Sequence, residues 1–399
     1  MHILLLPSTY PSKANPTLGI FYRDQAQALH KAGHKVGVLV TRLPPGREFL
    51  FARSTWSQVR GRKTAYNDSG VSVYEADFWS WIPNFLNSAR YRRLMAEQTR
   101  ALFSDYRQKQ GAPDLIHAHT SLYGGFLGAS LKGETGLPLV LTEHSSNFLT
   151  GQLSGKQLAV VRSVLQASDR VLAVSLPLAQ ALEQLEPACK VSVLGNIVDT
   201  DFFVLPDEPP PPRPFVFSAV GSLRSIKNFE LLIRAFGRAF SSADVVLRIA
   251  GEGSKRKRLE ALIRELHLES RVQLEGRLSR DGVRSLIQGS HAIVSSSWHE
   301  TFGVALIEAL SAGRPIIATR SGGPEGFVDQ ENGILVPVDD EAAFVDVMRQ
   351  MVRNWDHYDP RAIRAACVRR FGEKAVVEQL AQIYGSVQGD PEIKTRESS

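Results

Sequence analysis

Between Trp298 and Gly333 the chain sets two glutamates, Glu300 and Glu308, ahead of a Gly322-Gly323 pair. Glu308 lies in an apolar run, with Val304-Ala305-Leu306-Ile307 before it and Ala309-Leu310 after it. A carboxylate in such surroundings needs partners, because burying it unpaired is expensive. A vicinal diol such as that of a ribose is a suitable one, since a carboxylate can accept two hydrogen bonds from it. Glu300, just ahead of the same helical stretch, would meet a second set of hydroxyls from a loop, or else cap the helix near Thr301. Lys227, six residues after Gly221 at a strand end, offers a cation for a phosphate; the plain alternative is a surface lysine. His144, after Thr142-Glu143, suits a neutral imidazole bonded to a sugar or phosphate oxygen, or a structural histidine bonded to backbone. The chemistry these types allow is charge neutralisation and positioning of a phosphorylated, hydroxyl-rich molecule, with loop amides and helix N-termini adding donors for an anion.

Paired carboxylates also raise acid–base catalysis across a glycosidic bond. Eight positions along a helix turn a side chain by about 80° and carry it about 12 Å, which is too far for one acid and one base flanking a single bond. His117 and His119 have the spacing of same-face strand residues and are read as core or acceptor-side groups, not as metal ligands.

The elements that must hold these residues alternate strand and helix. Near-continuous apolar strands are expected at His2–Pro7, Lys35–Val40, Leu115–His117, Leu139–Thr142, Val171–Val174 and Val191–Leu194, with a helix over Phe21–Ala32. Runs of this kind mark parallel strands covered on both faces. The pattern restarts at Phe215–Val220, with a helix at Phe229–Phe240 and further strands at Val245–Ala250, Val272–Leu274, Ala292–Ser295 and Pro315–Ala318. Between the halves stands PDEPPPPRP, residues 206–214, a semi-rigid extended connector. The expected fold class is α/β, two Rossmann-like domains facing each other across a ligand cleft. The domains are 1–205, the 206–214 linker, and 215–375; 376–399 is read as a helix that crosses back over the first domain, then a tail. Ala362 to Val387 carries the helical pattern.

The chain has 399 residues, beyond the usual reach of one core. Its formal charge of +6 comes from the first half: residues 1–205 hold 21 Lys and Arg against 15 Asp and Glu, and the rest 26 of each. Phe78–Phe85, FWSWIPNF, is followed by a basic stretch with Arg90, Arg92, Arg93 and Arg100, and Arg42–Lys63 has Glu48 as its only acid. Such a half fits an anionic membrane surface or a lipid-phosphate acceptor, or else a packed helix with a solvated face; nucleic acid is not expected. Two cysteines, Cys189 and Cys367, make no disulfide framework or metal set. With neither a leader pattern nor an 18-residue apolar run, the expectation is a cytoplasmic protein, with a peripheral place on the inner face of the membrane as a further expectation.

The run WHETFGVALIEALSAGRPIIATRSGGPEGFVDQENG resembles the retaining GT-B glycosyltransferases of family 4. Glu300 and Glu308 match the family's glutamates separated by seven residues, with Phe302, Gly303 and Val304 in the donor-binding stretch between them. Gly322-Gly323-Pro324-Glu325 matches its glycine loop and Asn332-Gly333 the turn that follows. Val220-Gly221 with Lys227 resembles the phosphate-binding start of the second domain, and Gly251-Glu252-Gly253 the turn after its second strand. His144 resembles a first-domain histidine near the sugar, and Gly19 a loop glycine facing the donor phosphates. Asn196-Ile197-Val198-Asp199 is similar to a segment before the interdomain link, with Ile197 in place of glycine. The resemblance implies a nucleoside-diphosphate sugar donor, UDP-linked, with no cofactor and no metal. It implies front-face transfer with retention, in which His144, Lys227 and Glu300 serve the reaction. One position departs: Ser222 stands where the family has arginine after Gly221, and Arg224 is the candidate substitute. Alternatives on the same fold are a UDP-sugar epimerase or a phosphorylase, and outside enzymes a nucleotide-sugar or lipid-binding protein.

Overall fold

The computed structural model describes residues 1–12, 15–42, 62–77, 89–241 and 244–389. The chain divides into two compact units. One runs to Val174 and takes in Leu178–Leu194 and the segment from Val377; the other holds Ser175–Pro177 and Gly195–Val376.

In the first unit the described residues form an eight-stranded sheet: β1 (His2–Leu6), β2 (Lys35–Arg42), β3 (Arg62–Asp68), β4 (Val71–Asp77), β5 (Leu115–His119), β6 (Leu139–Glu143), β7 (Arg170–Ala173) and β8 (Val191–Val193). Their order is β3-β4-β2-β1-β5-β6-β7-β8, and only β3 runs antiparallel. Every residue of β1, β5 and β6 is buried, as strands with helices on both faces must be. Gly37 in β2 has a packing reason: a Cβ there would lie 2.0 Å from the hydroxyl of Tyr106, so the missing side chain admits that ring. The β3–β4 hairpin is an addition to the sequence reading. Its signals were the alternation in Val71–Asp77 and the Ser69-Gly70 turn, both residues at positive φ. Phe78–Phe85 and most of Arg42–Lys63 lie outside the described residues.

The second unit's sheet comprises β9 (Phe215–Val220), β10 (Val245–Ala250), β11 (Val272–Gly276), β12 (Ala292–Ser295), β13 (Ile316–Thr319) and β14 (Gly333–Val336), all parallel. The order β11-β10-β9-β12-β13-β14 reverses direction between β9 and β12, the place where open α/β sheets bind ligands. Its core joins Phe217, Ala219, Leu247 and Ile249 of the sheet to Phe236, Phe344 and Met348 on covering helices.

Two boundaries differ from the sequence reading. The chain enters the second unit at Gly195, ahead of the Pro-rich segment, which lies inside that unit. The cause is the packing of 198–203: Val198 N–H donates to Phe371 O at 2.9 Å, and Arg364 donates to Thr200 O and Phe203 O, both at 2.8 Å. The helical pattern over Ala362–Val387 is two helices, Pro360–Phe371 and Glu373–Gln388, broken at Gly372, where φ −65° and ψ 154° leave the helix. From Val377 the chain belongs to the first unit, where Tyr384 OH meets His117 Nδ1 at 2.7 Å. Among the described residues no helix is long and apolar enough to cross a membrane.

Candidate active site

The reversal point in the second unit holds a cavity of about 290 Å³. Val220 and Gly221 reach it from the end of β9, Ile293 to Ser297 from β12 and the chain beyond, and Gly303 to Leu306 and Glu308 from the helix Val304–Ser311. Lys227 and Glu300 complete the polar lining. Thus Gly221, Lys227, Glu300, Gly303, Val304 and Glu308, picked out from sequence, converge on one space.

Lys227 ends a single 3-10 turn, Ser225–Lys227. Its carbonyl accepts from Ser296 Oγ at 2.9 Å, and the Ile226 carbonyl accepts from Trp298 N–H at 2.9 Å, which ties the turn to the chain ahead of Glu300. The ammonium of Lys227 donates to Glu300 Oε2 in a partly buried ion pair, the side chains 23% and 16% exposed. The two candidate ligand groups are therefore each other's partners. Gly303 opens the helix Val304–Ser311 at φ 102° and ψ 57°, a left-handed conformation open to glycine without strain. Glu308, half-buried on that helix, lines the cavity.

The glycine loop plays a different part from the one expected. Gly323 N–H already donates to Glu300 O at 2.7 Å, and Gly322 N–H to the Glu325 carboxylate at 2.9 and 3.1 Å. The Gly323 amide holds the loop against Glu300 and the Gly322 amide closes the loop on Glu325, so both already have acceptors. A Cβ on Gly323 would fall 2.5 Å from Phe302 Cα, and the close approach accounts for the glycine. Phe302 itself is buried, its ring against Phe327 and Phe371 at 5.7 and 5.4 Å, which makes it a support behind the loop. Gly251, at φ 153°, has its reason in backbone as well: a Cβ there would lie 1.8 Å from Gly221 O. Arg224 is exposed and does not line the cavity. Sequence reasoning missed Ser295, Ser296 and Ser297, whose signal was a polar run at the end of an apolar strand.

In the first unit the corresponding reversal falls between β1 and β5. Gly19 closes the loop after β1 at φ 77°, where a Cβ would approach Thr9 O to 2.7 Å. His144 follows β6; its Nε2 meets His119 Nδ1 at 3.1 Å, and its ring packs on Phe21 and Tyr22. His117 is fully buried, with Nε2 on Thr142 Oγ1 and Nδ1 on Tyr384 OH, both at 2.7 Å. Burial pushes the His117 pKa down to about 3, and that of His119 well below the usual histidine value, the latter helped by the neighbouring imidazoles. Glu143, also fully buried, accepts from Ser121 N–H and Oγ and from the amides of His144 and Ser145. Burial raises its pKa against these four bonds.

No three His, Cys, Asp or Glu side chains gather into a possible metal set among the described residues. The chain's one Asp-x-Asp, Asp199-Thr200-Asp201, has Asp199 engaged by Arg280 at 3.2 Å and by Phe202 N–H at 3.0 Å.

Two doubly wound sheets, with a Lys–Glu–Glu cavity at the reversal of the second, define the GT-B class of glycosyltransferase. The family model described as Glycosyltransferase Family 4 matches residues 18–202, and Glycosyl transferases group 1 matches 204–366. Over 291 residues the chain is 25% identical to N-acetyl-alpha-D-glucosaminyl L-malate synthase of Bacillus anthracis, covering 69% of this chain and 76% of that protein. It is 28% identical to the lipopolysaccharide core biosynthesis glycosyltransferase LpsE of Rhizobium meliloti, over 56% of this chain and 66% of the relative. Among solved structures it is similar to Anabaena HepE in complex with UDP-glucose, with TM-score 0.71, 18% identity, and 97% and 100% of the two chains covered. The chain belongs to the family 4, group 1 glycosyltransferases and is an enzyme of the hexosyltransferase type.

Proposed function

We propose that this enzyme takes a sugar from a UDP-sugar and transfers it, with retention, to a glycan or lipid-linked acceptor in bacterial cell-surface polysaccharide synthesis. The observation that carries the reading is the convergence of Lys227, Glu300 and Glu308 on one cavity at the reversal of the second sheet. Lys227 neutralises the diphosphate, Glu308 accepts from the ribose diol, and Glu300 turns from Lys227 to the hydroxyls of the transferred sugar. The bond from the anomeric carbon to the diphosphate oxygen breaks, and the acceptor oxygen bonds that carbon on the same face. The acceptor's proton passes to the departing phosphate. In this reading His144, beside His119, contacts the sugar. The LpsE likeness supports a surface-glycan acceptor, and the UDP-glucose bound to HepE supports a uridine donor.

An anionic membrane surface is a further part of the proposal, supported by Arg107 and Lys109, exposed on the helix Ala89–Gln110. On the same helix Arg93 and Arg100 are paired with Glu97 and Glu134, which reduces the free charge.

Incubation with UDP-, GDP- and ADP-glucose, with and without EDTA, tests the core of the reading. Hydrolysis of UDP-glucose unaffected by EDTA is expected, and neither binding nor turnover across the panel would overturn it. An epimerase would convert the UDP-sugar with no acceptor and no release of UDP.

A further inference from the structure

Two residues on loops beyond strand ends of the second sheet hold left-handed backbone without being glycine. Asn228, directly after Lys227, has φ 46° and ψ 42°, and Asp339, in the turn after β14, has φ 61°. L residues adopt this region at a strain that glycine escapes. The two side chains meet: Asn228 Nδ2 donates to Asp339 Oδ1 at 2.9 Å. The same oxygen accepts from Trp298 Nε1, also at 2.9 Å. Asp339 is not needed to start the helix Glu341–Asn354, because Asp340 caps it through Ala343 N–H at 2.9 Å.

We infer that Asp339 is a positioning residue for the donor site, its carboxylate fixing Lys227 and Glu300 relative to each other through Asn228 and Trp298. One oxygen joins the residue after Lys227 to the residue two before Glu300, and so links the loops that leave β9, β12 and β14. The inference rests on the reading of Lys227 and Glu300 as donor-binding groups. Its physical content is that small misplacements of reacting groups cost large factors in rate, whereas a bridge on the surface adds little to overall stability.

The backbone strain supplies a diagnostic test. Asp339→Gly relieves the left-handed strain while removing the bridge, so thermal stability should hold or rise as activity falls. With the best donor of the UDP-, GDP- and ADP-glucose panel, kcat should fall by about five-fold or more, with KM changing less. Asp339→Asn keeps an acceptor oxygen and should recover most of that loss. Asn228→Gly, which leaves the Trp298 bond to Asp339, should reproduce part of the defect, and the Asn228→Gly/Asp339→Gly double variant should be no worse than Asp339→Gly alone, because Asn228 acts through Asp339. Lys227→Ala is the reference. If it is inactive while Asp339→Gly turns over like wild type, the inference is overturned and the donor site stands. If Lys227→Ala retains full activity, both fall. A lowered Tm in Asp339→Gly, with no recovery in Asp339→Asn, would assign Asp339 a structural role only and overturn the inference.

Discussion

The two sheets reverse direction at equivalent places, yet their reversal points are furnished in opposite ways. In the second unit Lys227 and Glu300 pair at the edge of a cavity and stay partly accessible. In the first, His117 and Glu143 are fully buried and already provided with hydrogen bonds. One point is an ion pair open to a cavity; the other is buried and locked by its hydrogen bonds. The contrast teaches that a doubly wound sheet supplies a location, and that the residues at its strand ends decide whether the location binds or braces.

The contrast breaks most sharply at Lys227. Lys227→Ala should lower kcat by about 10²–10³-fold, the scale for losing a preorganised charge at a developing anion. Steady-state rates near wild type would mean that the pair with Glu300 is only structural. Next in size, Glu308→Ala should weaken UDP affinity by about ten- to hundredfold, as for hydrogen bonds to a charged group. Calorimetric titration with UDP would show it, and an unaltered Kd would remove Glu308 from the nucleotide site.

The locked side is sharpened by pH. Folded, His117 titrates at about 3 against an ordinary value of 6.5, because burial disfavours its charge. Between those values the unfolded chain binds a proton that the folded chain refuses, so stability is lost as pH falls from 6.5 toward 3. By pH 5 this one group accounts for about 2 kcal/mol. The Tm should therefore drop between pH 7 and pH 5. His117→Asn should start from a lower Tm, having lost the bonds to Thr142 and Tyr384, but show a shallower decline. The same slope in both proteins would contradict the assignment. Smallest of all, Arg224→Ala should leave kcat/KM within about two-fold, as for an exposed surface charge; a larger loss would return Arg224 to the site in place of the arginine absent at Ser222.

Much of this architecture was legible because it is local. Apolar runs such as Leu4-Leu5-Leu6 read as covered strands, and the motif spacing that resembles family 4 picks out Lys227, Glu300 and Glu308. What escaped was long-range or carried by backbone. The partnership of His117 with Tyr384 spans 267 positions, and nothing near either residue announces it. The bond from Arg364 to Phe203 O, which draws the chain into the second unit ahead of its prolines, spans 161 positions. Glycine is ambiguous for a different reason: a ligand approaching the backbone and a neighbouring strand approaching it call for the same residue. Gly251 and Gly323 carry the motif's spacing, and their contacts with Gly221 and Phe302 account for them without any ligand.

Those two close approaches set a rule for redesign. Swapping the donor preference of an enzyme is usually attempted by randomising its motif, but here two of the motif's glycines act as spacers between main chains. Even alanine at Gly251 or Gly323 would pry apart the loops that carry Lys227 and Glu300, so library members altered there would be lost before selectivity could be scored. Ser295 and Val304 line the same space without such a backbone constraint, and diversity placed on them reshapes the chamber without moving its walls.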